Sequence, residues 1–149
     1  MKNSLISSAG LIFKREKGKV LWFVVRKDID IEEWGLPKTT SRKGESSVRA
    51  IIRYVVDFGG LNTQVLEEVD RMGGTTNVNG RITTTKTLYY LMVEKGGGEI
   101  KFGEYKWLEL AKAVKKIRAK KEIKIIREAA NMLKNLEKEK GKDYWVVEE

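Results

Sequence analysis

The chain contains no cysteine, no histidine and a single proline, Pro37. Without cysteine it has no disulfides, no zinc–thiolate site and no thiol nucleophile. Without histidine it has no Ser-His triad, no imidazole acid or base and no imidazole metal ligand. Any catalysis therefore falls to carboxylates, lysine, tyrosine or serine. A bound metal would be a hard, oxygen-liganded one, with Mg²⁺ or Mn²⁺ first in line. An apolar run near twenty residues is also lacking, as is a signal-peptide pattern. The expectation is a cytoplasmic protein without a membrane partner.

What is present suits one globular domain. The 149 residues are 41% hydrophobic and 34% charged, enough for a sizeable core and too apolar for a disordered chain. The net charge of +9 is unevenly spread. Residues 112–142 hold 12 Lys/Arg against Glu122, Glu128, Glu137 and Glu139, a balance of +8. Such a helical segment either meets phosphates, as in an RNA-associated module, or is simply a solvated face. Aromatics are not interleaved with these lysines, which argues against a surface for stacking single strands.

Along the chain, Ser8–Arg15 and Val20–Lys27 read as a β-hairpin, followed by an acidic loop, Asp28–Glu33. Thr39–Glu45 reads as a polar loop. Ser46 or Ser47 caps a helix running to about Phe58, which Gly59-Gly60 stops. Strands are expected near Thr63–Gly73 and Arg81–Glu94. Asn79-Gly80 signals a tight turn, although GGTTNVNG suggests a longer, mobile tip. Glu99–Trp107 reads as a last strand, then Leu108–Ile117 and Glu122–Lys138 as helices. Ile123, Ile126, Ala130 and Leu133 fall at helical spacing and should face a core. The apolar tail Tyr144–Val147 is expected to dock. Gly73-Gly74 and Gly96–Gly98 lack a following helix at phosphate-loop spacing and read as turns.

The most informative stretch is Trp34–Leu61, WGLPKTTSRKGESSVRAIIRYVVDFGGL. It resembles the Nudix box, G-x5-E-x7-R-E-U-x-E-E-x-G-U with U a bulky aliphatic residue. Glu45, Arg53, Val55, Gly60 and Leu61 match at the right spacing. Thr39 stands for the opening glycine, and Tyr54, Asp57 and Phe58 stand for the three helix glutamates, so the box is degenerate. Positions 54 and 58 are neighbours on one helix face. Rings therefore sit where carboxylates should meet a metal, unless Tyr54 and Phe58 are core aromatics. The segments SAGLIFK, TLYYLMVE and EYKWLELAKAV extend the resemblance over about residues 6–137, towards the diadenosine-tetraphosphate-hydrolase-like branch.

This resemblance implies an α/β (α+β) fold, a mixed β-sheet sandwiched between α-helices, in a single domain spanning 1–149. It implies Mg or Mn as cofactor if the protein is active, with Asp57 and Glu104 catalytic. Asp57, Glu104 and Glu45 are the candidate metal ligands, with Glu94 as a further carboxylate. Lys38, Arg42, Trp34 and Trp107 are the candidate substrate-binding residues, and Glu45 with Arg53 a fold-holding ion pair. The leading expectation is a domain that binds a nucleotide, a dinucleoside polyphosphate or another phosphate-rich ligand, with pyrophosphohydrolase activity lost or weakened. Two alternatives stand beside it. One is a divergent Mg/Mn-dependent hydrolase of nucleoside diphosphate-linked substrates. The other is an RNA-associated module using the basic C-terminal helix.

Overall fold

The structure is a computed structural model that describes residues 4–26, 33–96 and 98–141. Its frame is a seven-stranded mixed sheet. Strands β1 (Ser4–Glu16) and β2 (Lys19–Arg26) pair antiparallel. They turn at Lys17-Gly18, both at positive φ (53° and 78°), as a two-residue hairpin turn requires. Strands β5 (Thr63–Val78) and β6 (Arg81–Glu94) form the second hairpin. β6 lies parallel to β1 in the middle of the sheet, giving the order β3-β2-β1-β6-β5. Two short strands, β3 (Trp34–Gly35) and β7 (Tyr105–Leu108), pair with β2, and β4 (Lys38–Thr40) pairs with β1.

Alternation along the central strands builds a core on each face. Ala9, Leu11, Phe13, Trp22, Val24, Tyr89, Leu91 and Val93 point to one side. They meet helices α2 (Leu110–Lys116) and α3 (Lys120–Lys140) through Ala113, Ile125, Ile126, Ala129 and Leu133. Ile12, Phe23, Val25, Tyr90 and Met92 point to the other side, against Ile51 and Val55 of the box helix. That helix is α1 (Ser47–Arg53), continued without a break by a π-helical turn, Tyr54–Phe58. The Ser46 hydroxyl caps it by accepting from the Arg49 N–H. Ile51 and Val55 are fully buried, each contributing roughly 1.5–3 kcal/mol. The sandwich of helices about a mixed sheet is the architecture expected from the resemblance.

Local expectations were met unevenly. Asn79-Gly80 closes β5 and β6 directly, with φ 52° and 80°, so the longer tip is absent and Gly73-Gly74 belong to a strand rather than a turn. Part of the Thr39–Glu45 loop is strand β4, because pairing with Ser7 and Ser8 of β1 needs only backbone groups. The strand expected over Glu99–Trp107 begins only at Tyr105. Before it, the Lys101 N–H donates to the Gly59 carbonyl at 2.8 Å, so this backbone is tied to the end of the box helix instead of the sheet. In α3, Ile126, Ala130 and Leu133 are buried and Ile123 is half-buried, while Ile125 and Ala129 widen the apolar stripe. Residues 28–32 of the acidic loop and the tail at 144–147 lie outside the described residues. Among the described residues no helix is long and apolar enough to cross a membrane.

Candidate functional site

Five segments surround a cleft of about 490 Å³, β1 reaching it through Ser7. The end of β2 contributes Val25 and Arg26, and the β3–β4 region contributes Leu36, Pro37, Lys38, Thr39 and Thr40. The box helix contributes Tyr54 and Phe58, and the segment before β7 contributes Phe102, Gly103 and Glu104. Tyr54 and Phe58 stack with ring centroids 5.1 Å apart and planes within 8°. Phe102 meets both edge-on, at 5.6 and 5.9 Å, and leans on Phe23 at 5.4 Å. Gly59 admits that ring, since a Cβ there would lie 2.1 Å from Phe102 Cε2. The π turn is recorded in its own bond: the Gly59 N–H donates to the Tyr54 carbonyl, five residues back, at 3.0 Å. Such turns recur at functional sites.

Polar groups line the same cleft. Arg26 donates to a Glu104 carboxylate oxygen at 3.0 Å, and its backbone N–H donates to the Glu104 carbonyl at 3.1 Å. Lys38 and Glu104 are exposed at the cleft. Burial pushes the Tyr54 hydroxyl above its ordinary value, so near neutral pH it remains a neutral donor rather than an anionic ligand.

The other residues singled out in the sequence are distributed more widely. Glu45 accepts from Arg53 Nε at 2.7 Å, from Arg53 Nη2 at 2.9 Å and from the Arg42 N–H at 3.0 Å. The Arg53 hydrogen bonds, then the Arg42 N–H, hold its carboxyl down at about 2. The Glu45–Arg53 ion pair expected from the box is thus formed. Asp57 is exposed on the π turn and, like Arg42 and Glu94, is not among the residues lining the cleft. Trp34 is buried on the α2–α3 face, with the Lys116 and Lys106 amino groups 5.0 and 5.6 Å from its ring. Trp107 is half-buried against Phe23, 4.9 Å away, with the Lys14 amino group 4.6 Å from its ring.

The structure thus brings Lys38 and Glu104 to the cleft together, and leaves Asp57, Glu45, Arg42, Trp34 and Trp107 outside its lining. Among the described residues, no three acidic side chains gather where they could hold a metal. Glu104 alone of the three candidate ligands borders the cleft, and it is bonded to Arg26. That donor set does not fit a magnesium cluster. Sequence reasoning missed Arg26 and Phe102. Their signals are faint: a cation ending an apolar strand, and an aromatic residue two before Glu104.

No protein-family model and no curated protein matches the sequence. Solved structures do match. A diadenosine-tetraphosphate (Ap4A) hydrolase from C. elegans superposes with a TM-score of 0.66 at 17% identity, covering 89% of this chain and 99% of that one. The NUDIX domain of Shewanella oneidensis NrtR, solved with ADP ribose, gives 0.64 at 18% identity, covering 89% and 90%. The E. coli dihydroneopterin triphosphate pyrophosphohydrolase gives 0.66 at 12% identity, covering 85% and 95%. The chain has the Nudix hydrolase fold. In Nudix terms the cleft opens beside the box helix, and the two rings that stack on its wall are the residues at box positions 54 and 58. The Glu45–Arg53 pair ties the loop to the box helix, and Tyr54 and Phe58 form an aromatic surface on that helix.

Proposed function

We propose that this Nudix-fold protein binds a nucleotide or another phosphate-rich ligand in the cleft and has lost or weakened pyrophosphohydrolase activity. The observation that carries this reading is the stacked Tyr54–Phe58 pair on the cleft wall. Neither ring supplies a ligand for Mg²⁺ or Mn²⁺, while Lys38 and the Glu104-paired Arg26 place cationic groups in the same cleft. Two of the similar structures carry the names of nucleotide-like compounds, diadenosine tetraphosphate and ADP ribose. Those ligands set the class tried first.

An NMR titration with ATP or diadenosine tetraphosphate, with and without Mg²⁺ or Mn²⁺, tests it. Saturable shifts at Lys38, Thr39, Phe58 and Gly103 are expected with nucleotide, and no comparable shifts with metal alone. Turnover at ordinary enzymatic rates, ~1–10³ s⁻¹, that disappears in Asp57→Asn would sink the proposal. It would establish instead a divergent Mg/Mn-dependent hydrolase using Asp57 and Glu104.

A second reading rests on a separate surface. Lys120, Lys124, Arg127, Lys134 and Lys138 are all exposed and follow one stripe of α3. That stripe suits the phosphate backbone of RNA.

A further inference from the structure

We propose that the Tyr54–Phe58 stack is a platform for the base of a nucleotide, so that ligand binding here needs no divalent cation. The inference rests on the nucleotide reading above and specifies which part of the ligand the aromatic wall takes. Its starting point is the unusual placement of Phe58. The residue is 61% exposed, so much of it gains nothing from the core, yet its ring packs against two other rings. Tyr54 lies parallel to it, and Phe102, itself buried, presses edge-on against both rings. Phe102 is in turn seated against Gly59 and Phe23. The shelf is therefore held in place before any ligand arrives, which reduces the ordering cost of binding.

What such a shelf recognises follows from its chemistry. A ring face carries no formal charge and no lone pair directed at a cation, so it offers little to Mg²⁺ and much to a planar heterocycle. The cleft volume, about 490 Å³, falls within the range of small-molecule sites, roughly 300–1,000 Å³. Arg26 and Lys38 line the same cleft, Arg26 paired there with Glu104, so a base on Phe58 leaves its phosphates in a cleft of net positive charge. Stacking replaces the metal bridge as the source of affinity. The same ligand class is kept, but its base takes the place that the box would give to metal-bound pyrophosphate.

Binding of ADP, ribose 5-phosphate and inorganic pyrophosphate, measured by calorimetry in EDTA and in Mg²⁺, separates the possibilities. The wild-type chain and Phe58→Leu, Phe58→Tyr and Tyr54→Leu should be compared, with melting curves to verify folding. ADP is expected to bind equally in EDTA and in Mg²⁺, and more tightly than ribose 5-phosphate. Phe58→Leu, which keeps apolar bulk but removes the ring, should weaken ADP binding about ten-fold or more and leave pyrophosphate unchanged. Phe58→Tyr should retain ADP binding. Equal affinity for ADP and pyrophosphate, a Mg²⁺ requirement, or a folded Phe58→Leu variant with unchanged ADP affinity would each overturn the base platform while leaving the phosphate-binding reading in place. Absence of binding by all three ligands would overturn both.

Discussion

At the scale of single residues, Glu45 and Arg53 show how one ion pair ties a loop to the helix that follows it. Both Glu45 oxygens are engaged, by two guanidinium nitrogens and the Arg42 N–H, and the carboxyl titrates at about 2 instead of its ordinary 4.5. The sign of the linkage follows from that depression. The folded state binds a proton at Glu45 less readily than the unfolded chain, so ionised Glu45 stabilises the fold above pH 4.5. The contribution declines as pH falls from 4.5 and is gone below about 2. Melting temperatures of the wild type and Glu45→Gln should differ most near neutral pH and converge as the solution approaches pH 2. A constant gap across that range would mean that Glu45 acts through shape rather than charge. Nucleotide affinity should not follow the same curve, because Glu45 is not among the residues lining the cleft.

At the scale of elements, the end of the box helix and the segment before β7 form one unit. Gly60 has φ +71°, and a Cβ there would lie 2.0 Å from the Glu99 carbonyl oxygen, a backbone atom with little room to move. Gly44 has nearly the same φ, +76°, with nothing within 4 Å of its Cβ position. Gly44→Ala should therefore cost only the conformational term, about 1 kcal/mol. Gly60→Ala adds the collision and should cost more than ~1–3 kcal/mol, read as the difference in urea midpoints. Equal costs would show that the 98–102 segment yields easily and does not brace the helix.

The same unit shows what was legible in the sequence. Ser46, Gly60 and the Lys17-Gly18 and Asn79-Gly80 turns act through local backbone preferences, so the helix start, its stop and both hairpins could be read directly. The π turn could not, because YVVDF carries no local signal for it; its surroundings are tertiary, with Phe102 against Gly59. Ile100 and Phe102 follow a strand-like alternation but pack against the box helix, which is why a strand was expected where none forms. In the cleft, Tyr54, Phe58 and Glu104 could be named from the box and its resemblance. The pairing of Glu104 with Arg26 joins residues 78 apart and depends on the register of the sheet.

At the scale of the whole molecule, the charge of +9 is sorted by direction as well as by position in the chain. Within α3 the acids mostly turn towards the protein. Glu122 is buried and accepts from the Leu36 N–H at 2.7 Å, and Glu137 pairs with Arg15. Glu128 is half-buried, its carboxyl pushed up by desolvation and then by Asp70. Glu139 is the acid of α3 left exposed. Lys120, Lys124, Arg127, Lys134 and Lys138 face outward along about 27 Å of helix, at 1.5 Å per residue. Five phosphate contacts on single-stranded RNA would give a salt slope of roughly −3.5, or about a hundred-fold loss of affinity between 50 and 200 mM salt. Changing these five residues to glutamine should flatten that slope and leave ADP affinity unchanged, since none of the five is among the residues lining the cleft. The side chains are exposed, so the variant should fold. RNA binding that survives the substitutions, or is already absent at 50 mM salt, would return the stripe to an ordinary solvated face.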